Sequence, residues 1–89
     1  MNASRPRISV VIPLYNEEEN IGDLQRELVQ ALAGLDHEIV LVDDGSKDGT
    51  LVRIERRPEV RVVAFEKNAG QSAAMYAGIH AARFSKSFQ

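Results

Sequence analysis

Three runs of consecutive apolar residues, many of them β-branched, constrain this chain more than anything else in it. They are ISVVIPL at 8–14, HEIVLV at 37–42 and VRVVAF at 60–65. A strand with one wet face alternates apolar and polar residues, whereas an unbroken run predicts burial on both faces, as in a parallel sheet. The first run closes near Pro13, which cannot donate to a central ladder. Helix-type sequence fills the gaps. Ile21, Leu24, Leu28 and Leu32 recur at helical spacing and predict a helix over 20–35. Asn16 or Asn20 is placed to cap its start, Glu17 to Glu19 suit its positive end, and Gly34 is placed to stop it. A short helix is expected over 48–56, capped by Ser46 or Asp48 and ended by Pro58. The alanine-rich GQSAAMYAGIHAAR at 70–83 predicts a third helix with Ser72 near its start. The order βαβαβα implies parallel pairing through right-handed crossovers, hence a Rossmann-like α/β sandwich of three layers.

Composition removes several classes of function. The 89 residues carry a net charge of −2 with Lys and Arg scattered, so there is no basic stripe for a nucleic acid. No cysteine is present, which excludes disulfides and thiolate metal sites. No run of about 18 apolar residues exists to span a membrane. MNASRPR at the start lacks a following apolar region, so a secretory signal is not expected. Residues 1–6 are expected to be a flexible start, 7–83 the folded part and 84–89 an off-pattern tail.

The unusual residues cluster after the strands: PLYNEEEN after the first, DDGSKDG after the second and EKNAG after the third. In a parallel sheet these carboxyl ends share one edge, where open α/β sheets bind ligands. That edge carries carboxylates, an aromatic, amides and a lysine. It lacks GxGxxG and GxxxxGK[ST], so no phosphate-cradling glycine loop is present. Asp43 and Asp44 accept hydrogen bonds only, and therefore suit ribose hydroxyls, nucleobase N–H groups or a cation. Tyr15 offers a flat face to a base, and Lys67 a charge to a diphosphate.

Plainer readings stand beside these. DDGSKDG is equally a solvated turn, and YNE equally a helix cap. Lys67 and Asn68 alone read as surface residues, His37 and His80 have no partner at metal spacing, and Met75 and Tyr76 read as packing. Asp44, Ser46, Asp48, Gly49, Leu51 and Glu55 also fit the spacing of a calcium loop, but a strand precedes them where a helix is required.

Taken in order, VVIPLYNEEENI, IVLVDDGSKDGT and FEKNAGQSAAMYAGIHAA resemble the start of family 2 glycosyltransferases. The resemblance covers about residues 7–83. It is nearest the polyprenyl-phosphate branch, the dolichol-phosphate mannosyltransferases and bactoprenol glucosyltransferases. It implies a GT-A fold binding a UDP- or GDP-sugar, with a hexose passed to a lipid phosphate or polysaccharide acceptor. It also implies that Pro13, Tyr15 and Glu17 contact the nucleoside, and that Val42, Asp43 and Asp44 receive base and ribose donors, Asp44 most directly. Lys67 would lie near the diphosphate, and Gly70 would admit close backbone approach. Family members hold Mg²⁺ or Mn²⁺ on an Asp-x-Asp motif. These 89 residues contain none, and the tail reads FSKSFQ where a fourth strand is expected. The resemblance therefore implies an amino-terminal, truncated half of the fold, inactive alone and prone to self-association through an exposed sheet edge. Its place is cytoplasmic, with the whole protein at the inner membrane face. A nucleotide- or calcium-binding module without catalysis, and a ligand-free remnant, are the rival classes.

Overall fold

The computed structural model describes residues 7–83, so the expected flexible start and off-pattern tail lie outside the described residues. Strands β1 (Arg7–Leu14), β2 (Asp36–Asp43) and β3 (Val60–Ala64) alternate with helices α1 (Ile21–Ala31), α2 (Thr50–Arg53) and α3 (Gln71–Ala81). Both strand pairs are parallel, in the order β1-β2-β3, with Val11 opposite Val40 and Val42 opposite Val63. The parallel pairing that the apolar runs predicted is present, but the predicted burial on both faces is met by β2 alone, β1 being mostly half-buried and β3 half-buried to exposed. The central strand β2 is buried on both faces, and alternation divides it between two cores. Ile39 and Leu41 pack with Leu14, Ile21 and Ile54 beneath α1 and α2, while Val40 and Val42 pack with Ala74 and Ala82 of α3.

Pro13 sits within β1 rather than beyond it, opposite Val42. Leu14 O accepts the Asp44 N–H at 2.8 Å, so the polar groups of residue 14 face β2. Those of residue 13, one position away, face the open edge, where a missing N–H costs no ladder bond. Among the described residues β1 and β3 each have one strand neighbour, so both sheet edges are open.

The helices are shorter than their sequence patterns. α1 ends at Ala31 instead of reaching 35, because Gly34 adopts φ +83° and the chain turns through Leu32 and Ala33. Neither candidate asparagine caps α1 with its side chain. The Asn20 amide donates to Glu17 Oε1 at 3.3 Å, and the Asn16 carbonyl is engaged elsewhere. α2 is one turn long, because Ile54 leaves the helix in extended conformation to bury in the core. The next residue, Glu55, is clamped by Gln25, whose amide accepts from its N–H at 2.7 Å and donates to its carbonyl at 3.0 Å. α3 crosses the sheet closely at Gly78, where an added Cβ would overlap Val11 Cγ1 and stand 2.9 Å from Val42 Cγ2. Tyr76, read as packing, is exposed and meets His80 in a tilted ring contact with centroids 4.2 Å apart. No helix among the described residues is long and apolar enough to cross a membrane.

Candidate functional site

The carboxyl ends of the strands carry a cavity of about 480 Å³ lined by Pro13, Leu14, Tyr15, Glu17, Asp44, Asn68, Gly70 and Gln71. The three loops that looked unusual in the sequence therefore converge, as a parallel sheet requires. Tyr15 follows the last residue of β1 and keeps 42% of its surface exposed, which leaves its ring available to a ligand. Five of the sequence candidates line the cavity: Pro13, Tyr15, Glu17, Asp44 and Gly70.

The other three do not. Val42 is fully buried in the core on the α3 side and does not line the cavity. Lys67 lies on the exposed loop after β3, outside the cavity lining. Asp43, the last residue of β2, continues the alternation of Ile39 and Leu41 and so belongs to the α1–α2 face. It is 3% exposed, its Oδ2 accepts the Ser46 N–H at 3.3 Å, and its Oδ1 has no hydrogen-bond partner among the described residues. The two adjacent carboxylates thus point to opposite sides of the sheet.

Asp44 is 4% exposed and holds the loop between β3 and α3. Its Oδ1 accepts the Ala69 N–H at 2.7 Å, and its Oδ2 accepts the Gly70 N–H at 3.1 Å and the Asn68 amide at 3.1 Å. A carboxylate offers about four lone-pair sites, so one remains to face the cavity. Gly70 needs its φ of +101° to present that amide to Asp44 at the N-cap of α3.

A second network joins the loop after β1 to the loop after β2. The N–H groups of Asn16, Glu17 and Glu18 donate in turn to Ser46 Oγ at 2.8 Å, Thr50 Oγ1 at 2.8 Å and Asp48 Oδ2 at 3.3 Å. The reply comes from Lys47 N–H to Asn16 Oδ1 at 2.9 Å and from Gly49 N–H to Glu18 Oε1 at 3.1 Å. Asn16 takes a left-handed φ of +55° to do this, a conformation Asn tolerates better than most residues. The N-cap of α2 is Gly49, not the expected Ser46 or Asp48; from one residue before it, Asp48 accepts the Thr50 N–H at 3.0 Å and also the Thr50 hydroxyl. The Thr50 hydroxyl is the main reason its carboxyl stays below the usual aspartate range, and the amide donors act in the same direction. Sequence reasoning missed Asn68 and Gln71 as lining residues and missed this reciprocal bonding; an asparagine directly after an aromatic at a strand end is its one visible trace.

The calcium-loop reading fails on this geometry. Asp44 turns to the loop before α3, while Asp48 bonds Thr50 and Glu18 on the far side of β2. No group of three or more His, Asp or Glu residues among the described residues is arranged to hold a metal ion, so the residues present do not fit a divalent cation.

Comparison with known proteins agrees with the fold. The model of the family described as Glycosyl transferase family 2 matches residues 9–83. The dodecaprenyl-phosphate galacturonate synthase of Rhizobium johnstonii is 41% identical over 83 residues, covering 85% of this chain and 25% of that protein. A mannosyltransferase from Pyrobaculum calidifontis, solved with GDP-Man and Mn²⁺, superposes with a TM-score of 0.77 at 26% identity, covering 91% of this chain and 26% of that one. Glucosyl-3-phosphoglycerate synthase from Mycobacterium tuberculosis, solved with Mn²⁺, UDP and glucosyl-3-phosphoglycerate, superposes with a TM-score of 0.73 at 30% identity over 93% of this chain and 32% of that one. The chain spans about a quarter of the length of the curated relatives it matches.

Proposed function

The chain belongs to glycosyl transferase family 2, and from that premise we propose that its cavity takes the nucleoside part of a UDP- or GDP-sugar. The observation that carries this is the convergence of an exposed aromatic ring, Tyr15, with Glu17 and Asp44 at the carboxyl edge of a parallel sheet. The ring supplies a stacking face, and the two carboxylates accept from base N–H or ribose O–H groups. Pro13 shapes the wall beside Tyr15, and Gly70 lets the backbone approach. Lys67, on the exposed loop, is assigned to the diphosphate. Val42 and Asp43 act indirectly, Val42 through the core on the α3 side and Asp43 as support for the turn after β2.

In the whole protein this donor site serves transfer of a hexose to a lipid phosphate or a polysaccharide, the lipid phosphate being favoured by the name of the galacturonate synthase relative. Such an acceptor would place the protein at the cytoplasmic face of its membrane. Two structural relatives were solved with Mn²⁺, and the ligands for Mn²⁺ or Mg²⁺ are assigned to residues outside 7–83. Turnover is assigned to the whole protein, because the described residues bring no metal group to the cavity. The open edge of β1 also offers the chain a route to self-association, which sedimentation would read as a concentration-dependent mass.

The test is an NMR titration of the chain with UDP, GDP and Ca²⁺. Nucleotide should shift Tyr15, Glu17 and Gly70, and Tyr15→Ala should abolish the effect. Shifts from Ca²⁺ alone would overturn the reading.

A further inference from the structure

Neither Thr50 nor Asp48 lines the cavity, yet both bear on its shape, a role that rests on the nucleoside reading of that cavity and deepens it. The residues that form one wall, Tyr15 and Glu17, sit on a loop that leaves β1 before α1 begins. A loop in that position has no ladder or helix of its own to satisfy its amides. The N–H groups of residues 16, 17 and 18 are instead satisfied one after another by side chains of a different loop: Ser46, Thr50 and Asp48.

The central bond of the series is the most protected. Thr50 is fully buried, and its hydroxyl accepts from Glu17 N–H while donating to Asp48 Oδ1. That donation commits the hydroxyl hydrogen, leaving its lone pairs turned to Glu17. Asp48 in turn accepts from Glu18 N–H, and the Glu18 carboxylate accepts from Gly49 N–H. Arg53 also reaches Glu18 at 3.5 Å. The backbone from Asn16 to Glu18, which follows Tyr15 and carries Glu17, is therefore tied to α2's first residue and the turn before it as well as to the end of β1.

We propose that Thr50 and Asp48 are positioning residues that hold the Tyr15–Glu17 wall in its ligand-accepting geometry. A wall held in place before the ligand arrives spares the ordering cost on binding.

The experiment uses Thr50→Val, which keeps the shape and removes the hydroxyl, with Thr50→Ser as the conservative partner. Affinity for UDP and GDP is measured by calorimetry, amide exchange at residues 16–18 by NMR, and stability by urea unfolding. Thr50→Val should weaken the nucleotide that binds by about tenfold, the worth of one such hydrogen bond. Thr50→Ser should stay within about threefold of the parent. Exchange at Glu17 should quicken in the valine variant while β1 amides stay protected. Leu28→Ala, in α1 and away from the cavity, serves as a control that lowers stability without changing affinity. If Thr50→Val prevents folding, the exposed Asp48→Ala takes its place, with faster exchange at Glu18 expected. Unchanged affinity and unchanged exchange in these variants would overturn the proposal. If the parent binds neither nucleotide, the donor-site reading fails, and the exchange data alone decide whether Thr50 holds the wall.

Discussion

Gly45 meets Lys67 and Asn68 backbone to backbone. An added Cβ at Gly45 would overlap the carbonyl carbon of Lys67 and the nitrogen of Asn68, and Gly45 itself has φ +70°. The turn after β2 and the turn after β3 are thus in direct main-chain contact, with no side chain between them to yield. A left-handed non-glycine residue costs about 1–2 kcal/mol, and forced overpacking about 1–3 kcal/mol more. Gly45→Ala should therefore lower unfolding stability by about 2–5 kcal/mol in urea. Gly34→Ala, with a similar φ of +83° but nothing within 4 Å, should lose only the conformational part, about 1–2 kcal/mol. Equal losses at the two positions would show that the contact between the turns carries no energy.

Gly78→Ala tests the seat of α3. Alanine gains about 1 kcal/mol of helix propensity over glycine. Here the new methyl would overlap Val11 Cγ1 and crowd Val42 Cγ2, an overpacking cost of about 1–3 kcal/mol. Crowding should win, giving a net loss that Val11→Ala partly restores. A double-mutant cycle in urea measures the coupling, and strict additivity would refute the contact.

Asp44 supports one loop and lines the cavity, so its variants should separate the two roles. Asp44→Ala leaves the part-buried amides of Ala69 and Gly70 without their acceptor and should cost about 1–3 kcal/mol of stability. Asp44→Asn keeps a carbonyl acceptor for one of them, and should lose less stability but still weaken nucleotide binding. Calorimetry and urea unfolding on both variants check this, and Asp44→Asn binding as tightly as the parent would count against a charged contact with the ligand.

The acid limb of stability should report Asp48. Its carboxyl lies below the usual range because the Thr50 hydroxyl donates to it, so the folded state binds its proton less readily than the unfolded state. The contribution is present above the ordinary aspartate value of about 3.9 and is lost as pH falls through the lower folded value. Glu59, lowered chiefly by its bond from Arg57 at 2.6 Å, adds a loss of the same sign. Unfolding midpoints between pH 5 and pH 2, a window of about 3 units around those values, should fall less steeply for Asp48→Ala than for the parent. An identical slope would show that the Thr50 bond does not hold that proton off.

The parallel architecture was legible because β2 is apolar on both faces and its neighbours repeat the pattern. That the loops carrying Pro13, Tyr15, Glu17, Asp44 and Gly70 meet was legible because carboxyl ends of parallel strands must share an edge; the choice of Pro13, Glu17 and Gly70 within them came from the family resemblance. The fate of the adjacent aspartates was harder to see. Alternation sends Asp43 and Asp44 apart, but only if the strand persists through residue 43, one residue past its expected end. The short α2 was illegible for a tertiary reason. Gln25 grips the backbone of Glu55 from 30 positions away in the sequence, and no local propensity encodes that. Buried Glu38, bonded by Ser9 Oγ at 2.8 Å and by Arg83, likewise looked like one more strand residue.

The strand register also dictates how such a chain must acquire its structure. Arg7 pairs with Asp36 and Ile39 with Val60, so no hairpin starts the sheet among the described residues, and each pairing must close a long loop before it gains anything. β2 belongs to both pairings and to both cores, and among the described residues β1 pairs only with β2, which follows it in the chain. A ribosome releasing this chain exposes VVIPL for the whole interval in which α1 is made. Folding therefore waits on the central strand, and substitutions at Val40 or Leu41 should slow refolding more than equally destabilising ones in α1.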